Sequence, residues 1–297
     1  MKTKTVILVF AAIFTAVSAS AYNFLFTAHR SGVVALANDR GEILWSIEAE
    51  HPQRADLSPD GKTVFISELH GARMVSVADK KTLWQYKCPE VVWDGVETKT
   101  LKRGDKVRLQ NPVAQILGND RFLVGNEGIS TLLEIDSKGN VHKTIKSETK
   151  KRVNHGEFRL AAKVGNKYIF PMISSNLLTI YDADGRQIRR IETPDGVVSA
   201  QLMPDNSILT GGIYGIAIYD AADKIKWAFT SKELQQALGA KSPIIICDAK
   251  FLPNGNILCT TYGNNSIPDV LEVSPDKKIV KKIDFPQYSY FSALQIF

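Results

Sequence analysis

The sequence lacks most of the motifs that mark catalytic and metal-binding sites. It has only three cysteines, Cys88, Cys247 and Cys259, and no C-x-x-C spacing of the kind that binds zinc. Three thiols cannot all pair within one chain, and Cys247 is predicted to lie opposite about Tyr262 rather than Cys259. We therefore expect buried free thiols. No G-x-S-x-G nucleophile motif and no phosphate-binding loop occur either.

Long apolar runs are also scarce. The run from Val6 to Val17 is too short to span a bilayer, it follows Lys2 and Lys4, and it precedes the small residues 19–21. This pattern predicts a signal peptide over residues 1–21 and an extracytoplasmic protein, periplasmic or secreted, without a membrane span after cleavage. No cysteine stands directly after the cleavage point, so we do not expect a lipoprotein anchor.

The charge is mildly basic. Removing Lys2 and Lys4 lowers the formal net charge from +6 to about +4. The remaining excess is spread over segments such as 146–152 and 277–282, which is typical of a solvated rim. A nucleic-acid-binding protein would need a basic face with interleaved aromatic residues, so no nucleic-acid partner is expected. Acidic glycans and an anionic cell surface stay open as partners.

The sequence contains a repeat that has no helical period and consists of short strands. Six stretches carry an alanine, and five of them lead at the same offset into a turn rich in Gly, Pro, Asn and Asp. The six stretches are 54–57, 113–116, 160–163, 199–202, 248–251 and 292–295. Further apolar runs complete four strands in each period of roughly 40 to 50 residues, the signature of propeller blades.

The two ends of the chain complement each other. Residues 24–26, 33–36 and 43–45 supply second, third and fourth strands without a first strand, and residues 290–294 supply the missing one. The sequence therefore predicts an all-β, six-bladed β-propeller over residues 22–297, with one blade shared between the N- and C-termini. Alanine suits the innermost strands because they crowd around the axis.

The fourth strands resemble the repeat of pyrroloquinoline-quinone-like propellers, in which alanine, aspartate, glycine and tryptophan lock neighbouring blades. Ala37, Asp39, Gly41 and Trp45 match that motif in a form one residue shorter. In the other five blades the place of this tryptophan is taken by Trp84, Trp227, Lys143, Arg189 and Lys281. Turns such as 58–61 and 252–255 are similar to those of WD40-like bacterial repeats. The vicinal cysteine pair of the quinone-dependent enzymes is missing, so no quinone cofactor is implied.

Polar and aromatic residues are predicted to gather on one face of the propeller. The loops that lead into first strands and those that join second to third strands meet there around the axis. These loops and their flanks supply the candidate ligand-binding residues His29, Arg30, His51, Arg54, Glu68, His70, Trp93, Asn126, His155, Glu157, Arg159, Tyr214, Asp248, Tyr262 and Tyr290. Such groups around a concave centre suit a small molecule or glycan, although loops are polar on any propeller.

The functional hypothesis is a non-catalytic binding module, monomeric and without a cofactor, for a glycan, peptide or protein. The alternative is a metal-dependent hydrolase of the six-bladed lactonase type. Calcium would then be bound by Asn111, Glu157 and Asp248, or zinc by His29, His70 and His155. A purely structural role in an envelope assembly is a third possibility.

Two insertions interrupt the repeat. Residues 89–110 are predicted to form a projecting hairpin with strands at 96–102 and 106–110 and its turn at Gly104. Residues 231–239 are predicted to form a short helix capped by Ser231 and ended by Gly239. Both are expected at the ligand-facing rim, where binding residues tend to lie.

Overall fold

Six antiparallel four-stranded sheets make up almost all of the protein in the computed structural model, which describes residues 22–149, 152–263 and 267–297. Each sheet contacts the next one near the axis, so that the six sheets form a closed ring. The all-β six-bladed propeller predicted from the repeat is therefore confirmed. The predicted signal peptide, residues 1–21, lies outside the described residues.

The first three blades follow the predicted order from the axis outwards. Blade 1 consists of the last strand of the chain, β26 (Phe291–Ile296), followed by β1 (Asn23–Ala28), β2 (Val33–Asn38) and β3 (Ile43–Glu48). Blade 2 consists of β4 (Ala55–Leu57), β5 (Thr63–Glu68), β6 (Gly71–Ser76) and β7 (Thr82–Lys87). Blade 3 consists of β10 (Ala114–Gly118), β11 (Arg121–Asn126), β12 (Thr131–Ile135) and β13 (Val141–Lys146).

The other three blades repeat this order. Blade 4 consists of β14 (Ala162–Val164), β15 (Lys167–Met172), β16 (Leu177–Tyr181) and β17 (Gln187–Glu192), with a 3-10 turn (Ile173–Ser175) between β15 and β16. Blade 5 consists of β18 (Val197–Leu202), β19 (Ile208–Gly212), β20 (Gly215–Tyr219) and β21 (Ile225–Thr230). Blade 6 consists of β22 (Ile245–Phe251), β23 (Ile257–Tyr262), β24 (Val270–Val273) and β25 (Ile279–Ile283).

The shared blade closes the ring between the two ends of the described chain. Strand β1 pairs with β2 on one side and with β26 on the other, so neither edge of β1 is left open. Phe291 is completely buried and Leu294 nearly so, in the apolar cluster that also contains Phe24 and Phe26. The ring is therefore closed by both backbone pairing and apolar packing.

The recurring alanine occupies one buried position next to the axis in five blades, as predicted. Its members are Ala55, Ala114, Ala161, Ala200 and Ala249. In blade 1 the prediction of Ala293 is wrong by one residue, because Leu294 pairs with Phe26 at this position. The cause is a β-bulge in β26, which shifts the register between the Phe26 and Ala28 pairs.

Side chains one residue after this alanine join neighbouring blades near the axis. Asp56 of blade 2 accepts a hydrogen bond from the Ile116 amide of blade 3 at 2.7 Å. Gln115 accepts one from the Lys163 amide at 2.8 Å. In the same way, Gln201 accepts a hydrogen bond from the Phe251 amide, and Gln295 accepts one from the Leu57 amide. Ala162 occupies the same position in blade 4 and has no side chain that could make such a bond.

A second ring of contacts joins the blades at their outer strands. It is made by the residues that the propeller resemblance singled out, and each of them reaches the next blade around the ring. Four bond a backbone carbonyl there: Trp45 to Val77, Lys143 to Ala183, Arg189 to Asp220 and Trp227 to Pro275. Lys281 pairs with Asp39, and Trp84 stacks on Phe122. The predicted locking positions therefore do bridge neighbouring blades.

The first insertion is a hairpin whose strands differ from the prediction. Strand β8 (Glu90–Val92) pairs with β9 (Lys106–Arg108), and residues 93–105 form the loop between them. Segment 96–102 is not a strand. Its apolar alternation therefore does not mark a strand. Trp93 instead turns into the protein, and its indole donates a hydrogen bond to the Val96 carbonyl at 3.1 Å. Gly104 does adopt the positive φ of a turn residue.

The second insertion is the predicted helix, α1 (Ser231–Leu238), with a different N-cap. Thr230 caps the helix, since its hydroxyl accepts from the Glu233 amide while the Glu233 carboxylate accepts from the Thr230 amide. Ser231, the predicted cap, lies inside the first turn with its hydroxyl buried. Gly239 ends the helix in the left-handed conformation, as predicted.

The three cysteines are buried and free, as expected. Cys247 lies in a β-bulge of β22, and Ala249 pairs with Cys259, so the two thiols are out of register. Within the described ranges no helix combines the length and apolar character needed to cross a membrane.

Candidate functional site

A pocket of about 220 Å³ lies at the propeller axis, on the face formed by the loops that lead into first strands. Residues from blades 1, 2, 4, 5 and 6 and from their loops line it. They are His29, Gln53, His155, Gly156, Arg159, Ile173, Val198, Ile213, Ile245, Cys247, Tyr262 and Ser292. The innermost strands carry Val198, Ile245, Cys247 and Ser292, and the other lining residues lie in loops, in the 3-10 turn or at the end of β23.

Apolar side chains pack together at the axis beside the pocket. Leu160, Val198, Cys247 and Ala293 form one buried cluster, and Ile173 packs against it. Strands β18, β22 and β26 each shift register here, around Val198, Cys247 and residues 292–293. Because a bulge re-aims side chains, three successive blades turn small or apolar groups towards the axis.

Burial raises the pKa of the Cys247 thiol to about 12. The thiol is therefore protonated at neutral pH, and this cysteine contributes to packing rather than acting as a nucleophile.

A hydrogen-bonded chain orients His29. The Ser292 hydroxyl donates to Gln53 Oε1 at 3.2 Å, and Gln53 Nε2 lies 2.7 Å from His29 Nδ1. With the Gln53 amide in this orientation, its Nε2 donates to His29 Nδ1. Burial, followed by the effect of nearby His51, lowers the pKa of His29 to about 4. The imidazole is therefore neutral at neutral pH.

A buried ion pair orients Arg159 beside the pocket. Its Nη1 lies 2.6 Å from both carboxylate oxygens of Glu127, a completely buried residue at the end of β11. Arg159 Nη2 contacts the ring of His155, whose Nδ1 lies 2.8 Å from Gln110 Oε1. Burial and then the Arg159 guanidinium lower the pKa of His155 to about 4. Both pocket histidines are thus neutral near pH 7.

Two glutamates link the loop of residues 152–160 to blade 3 in both directions. The Glu127 carboxylate accepts a hydrogen bond from the backbone amide of Glu157 at 2.6 Å. In return, the carboxylate of Glu157 accepts from the amides of Gly128 and Ser130 and from the Ser130 hydroxyl. Burial raises the pKa of Glu157 to about 7. This reciprocal clamp fixes the loop that carries His155 and Arg159.

The structure brings four of the predicted ligand-binding residues together in the pocket: His29, His155, Arg159 and Tyr262. Three more lie beside it. His51 has its ring centroid 5.1 Å from that of His29. Tyr290 packs edge-on against Tyr262 with centroids 4.8 Å apart, and the Arg30 guanidinium lies 5.0 Å from the Tyr290 ring centroid. These aromatic and basic groups form the rim.

Other predicted residues lie near the axis but are used within the protein. Arg54 reaches from blade 2 to the Ala161 carbonyl of blade 4 at 3.0 Å. Asp248 accepts hydrogen bonds from the amides of Ala249 and Leu294 and from the Lys250 ammonium. Their polar groups are therefore already engaged with protein atoms.

Four predicted residues lie outside the axial pocket. Glu68 pairs with Arg73 at 2.9 Å, and His70 bonds the Leu109 carbonyl at 3.0 Å. The Asn126 side chain accepts from the Tyr86 hydroxyl. Tyr214 packs against the apolar cluster between blades 4 and 5.

The prediction that Trp93 belongs to a ligand-binding surface is wrong. Trp93 is completely buried, and its indole packs against Gly95 and Gly128. An added Cβ at Gly95 would lie 2.4 Å from the indole. Trp93 therefore packs in the interior, between the insertion and the loop that contains Gly128.

The candidate metal ligands do not converge. Asn111 donates to the Gly71 carbonyl and accepts from the Val113 and Gly125 amides. Glu157 and Asp248 are engaged as described above. In the part of the chain that the structure describes, no three His, Cys, Asp or Glu residues are placed to share a metal ion. Neither the proposed calcium set nor the proposed zinc set is assembled there.

A larger cavity of about 720 Å³ lies away from the axis, between blades 3 and 4. Several of its polar groups are paired within the protein: Ser130 with Glu157, Ser147 with Tyr181, and Arg152 with Asp94. Its lining residues Thr149 and Arg152 flank the gap between the first two described ranges. The axial pocket is the better candidate because its polar groups converge from several blades.

Eight pocket residues were not among the predicted ligand-binding residues, and those with polar or thiol side chains are Gln53, Cys247 and Ser292. Gln53 and Cys247 directly precede the repeat stretches 54–57 and 248–251, and Ser292 is the first residue of stretch 292–295. This position at the start of a repeat stretch was the available signal. The bulges that turn Cys247 and Ser292 to the axis were not visible in the repeat.

Fold and pocket together define a six-bladed β-propeller with an axial polar site. No family model matches the chain, and comparison with curated proteins finds no match. A solved protein of unknown function from Bacteroides caccae is similar in fold, with a TM-score of 0.74 and 17% identity over 93% of this chain and 98% of that one.

Two solved lyases also share the architecture. A streptogramin B lyase has a TM-score of 0.58 and 13% identity over 88% of this chain and 78% of that one. Virginiamycin B lyase from Staphylococcus aureus has a TM-score of 0.54 and 14% identity over 80% and 71%. At such identities the likeness establishes the fold alone.

Proposed function

We propose that the protein is a non-catalytic binding module that holds a small ligand, or the protruding end of a larger one, in the axial pocket. The observation that carries the proposal is the convergence of His29, Gln53, Arg159, Tyr262 and Ser292 from different blades on one cavity. A concave site with apolar walls and a few fixed polar groups is the usual form of a ligand site.

The state of the pocket groups favours binding over catalysis. The Cys247 thiol is protonated, and the two histidines are weak bases because the pKa of each is lowered to about 4. A general base works best when its pKa lies near the working pH. The metal-dependent hydrolase has no observation in its favour among the described residues, since its candidate ligands are engaged elsewhere.

A glycan and peptide binding screen tests the proposal. We expect hits whose affinity falls at least about tenfold, or 1.4 kcal/mol, in Tyr262→Ala and His155→Ala. His142→Ala is the matched control, since His142 lies on outer strand β13 and pairs with Asp136. Hits that bind equally well to all three variants would refute this site. Turnover of lactones or esters by metal-loaded protein would favour the hydrolase instead.

We also propose that the module acts outside the cytoplasm, as a monomer. The pattern of residues 1–21 supports the location. Mass spectrometry of the protein exported from cells should find a chain that begins at Tyr22. An intact Met1 in a cytoplasmic fraction would contradict this.

A further inference from the structure

The volume of the axial pocket limits what can enter it. At about 220 Å³ it is smaller than the roughly 300–1,000 Å³ of sites that enclose drug-sized molecules. The apolar cluster of Leu160, Val198, Cys247 and Ala293 packs at the axis next to it. The pocket therefore has room for about one ring.

The two sides of the pocket differ in polarity. Ile173, Val198, Ile213, Ile245 and Cys247, from blades 4 to 6, form an apolar side. The facing side carries an amide, a hydroxyl, two imidazoles and a guanidinium, from blades 1 and 2 and the loop before blade 4. A ligand that satisfies both sides has one apolar face and hydrogen-bonding groups along its edge.

The pocket is close to neutral although the protein as a whole is basic. Arg159 is paired with Glu127, and His29 and His155 are uncharged near pH 7. Inside the pocket, a ligand carboxylate would leave water without meeting an unpaired cation among the lining residues, and burying such a charge is costly. The electrostatics therefore favour an uncharged ligand.

An aromatic side chain stands at the mouth of the pocket. Tyr262 is 40% exposed, and the edge-on contact with Tyr290 holds its ring. Such a ring offers a flat apolar surface with a polar tip. It can cover the C–H face of a ring whose hydroxyl groups point the other way.

We infer that the axial pocket binds an uncharged sugar ring, a neutral monosaccharide unit at the end of a glycan. A pyranose combines one apolar C–H face with an edge of hydroxyl groups that can both donate and accept. A planar aromatic ring is apolar on both faces and offers no edge of hydroxyl groups to the polar side of the pocket. The inference rests on the proposed function, in which this pocket is the binding site.

The five histidines allow a test that locates the ligand as well as detecting it. In protein labelled at histidine, nuclear magnetic resonance follows His29 and His155 in the pocket, while His70 and His142 serve as internal controls. The probes are glucose, galactose, mannose and N-acetylglucosamine, with glucuronate and galacturonate as charged counterparts and the tripeptide Gly-Tyr-Gly as the peptide probe.

We expect at least one neutral sugar to shift the His29 and His155 signals while those of His142 stay in place. The matching uronate should bind at least about tenfold more weakly. Tyr262→Ala should weaken sugar binding by a similar factor, and His142→Ala should leave it unchanged.

The other outcomes separate the inference from the proposed function. If a uronate or the tripeptide shifts His29 and His155 more strongly than every neutral sugar, the pocket remains a binding site and the sugar inference is wrong. If no probe shifts these two signals, the sugar inference is also overturned. If ligands from the binding screen then shift only the signals of His70 or His142, the proposed function is overturned as well.

Discussion

Glu127 and Arg159 form a buried ion pair behind the axial pocket. Glu127 is not exposed at all, and Arg159 is 8% exposed, at the wall of the pocket. Removing one partner of such a pair strands the other charge in the interior. The position of the guanidinium beside His155 therefore depends on a glutamate that does not line the pocket.

Glu127→Gln should destabilise the protein by about 3 kcal/mol, because the Arg159 charge then stays buried without its counter-ion. Urea unfolding measures the change. Glu90→Gln is the matched control, since Glu90 also pairs with an arginine, Arg108, but both side chains are about half exposed. That substitution should cost less than about 1 kcal/mol. Equal effects of the two substitutions would show that the buried pair has no special role.

Glu157 should make the stability of the folded protein depend on pH. Its pKa is raised from 4.5 to about 7, so between these values the folded state binds more protons than the unfolded state. The stability associated with this group is present at low pH and is lost as the pH rises through 7. The sign follows from burial, which disfavours the ionised carboxyl.

Glu157→Gln mimics the protonated carboxyl and should remove this dependence. Relative to the wild type, the variant should gain up to about 3 kcal/mol of stability as the pH rises from 5 to 8, which corresponds to the shift in pKa. Urea unfolding at the two pH values measures the difference. A stability difference that does not change with pH would mean that Glu157 titrates normally.

At the level of elements, helix α1 shows how a cap can be misplaced by one residue. Both Thr230 and Ser231 are N-cap residue types. The choice is made by spacing, since only Thr230 stands three residues before Glu233 and completes a capping box. The buried hydroxyl of Ser231 has no hydrogen-bond partner within the described chain.

The two hydroxyl residues should therefore respond in opposite ways. Thr230→Ala should cost about 1 kcal/mol of stability because it removes the cap. Ser231→Ala should be neutral or slightly stabilising, since it removes a buried hydroxyl that lacks a partner. Thermal unfolding of the two variants side by side decides the matter, and a larger loss in Ser231→Ala would contradict the assigned cap.

Strand order and the outer contacts between blades were predictable from the sequence because both are local and periodic. Trp45, Trp227 and Arg189 recur at one position of the repeat, and each meets the next blade. The strands of the first insertion were not predictable. Its pattern occurs once, and burial of Trp93 against Gly128 in blade 3 decides how it folds.

At the scale of the whole molecule, the axial pocket depends on side-chain directions that the repeat does not encode. His155, Glu157 and Arg159 are spaced by two residues, yet they point to the pocket, to the turn at 128–130 and to Glu127. Loop residues do not alternate as strand residues do. The sequence could therefore predict which face of the propeller carries the site. It could not separate the four residues that meet in the pocket from the other predicted ligand-binding residues.

Ring closure by β26 should be essential for the fold. Deleting residues 291–297 exposes β1 and the cluster around Phe24 and Phe26, and it removes Ser292 from the pocket. The loss should exceed the roughly 5–15 kcal/mol by which a typical domain is stable. Circular dichroism should show no cooperative unfolding transition.

Replacing residues 97–103, at the tip of the first insertion, with a glycine-serine linker is the control for this deletion. These residues lie in the loop between β8 and β9, outside the six sheets. The transition should be retained in that variant. A cooperative transition in the chain that lacks 291–297 would show that five complete blades can stand without closure.

The pairing of β1 with β26 also sets the order in which the protein can fold. Blades 2 to 6 are each built from one continuous segment and can form as that segment leaves the ribosome. Blade 1 cannot, because its partners are separated by nearly the whole chain. Until synthesis passes residue 296, β1 presents an open apolar edge, the kind of surface that chaperones and proteases recognise. Contacts so distant along the chain also form slowly, so closure of this blade should be the last and rate-limiting step of folding.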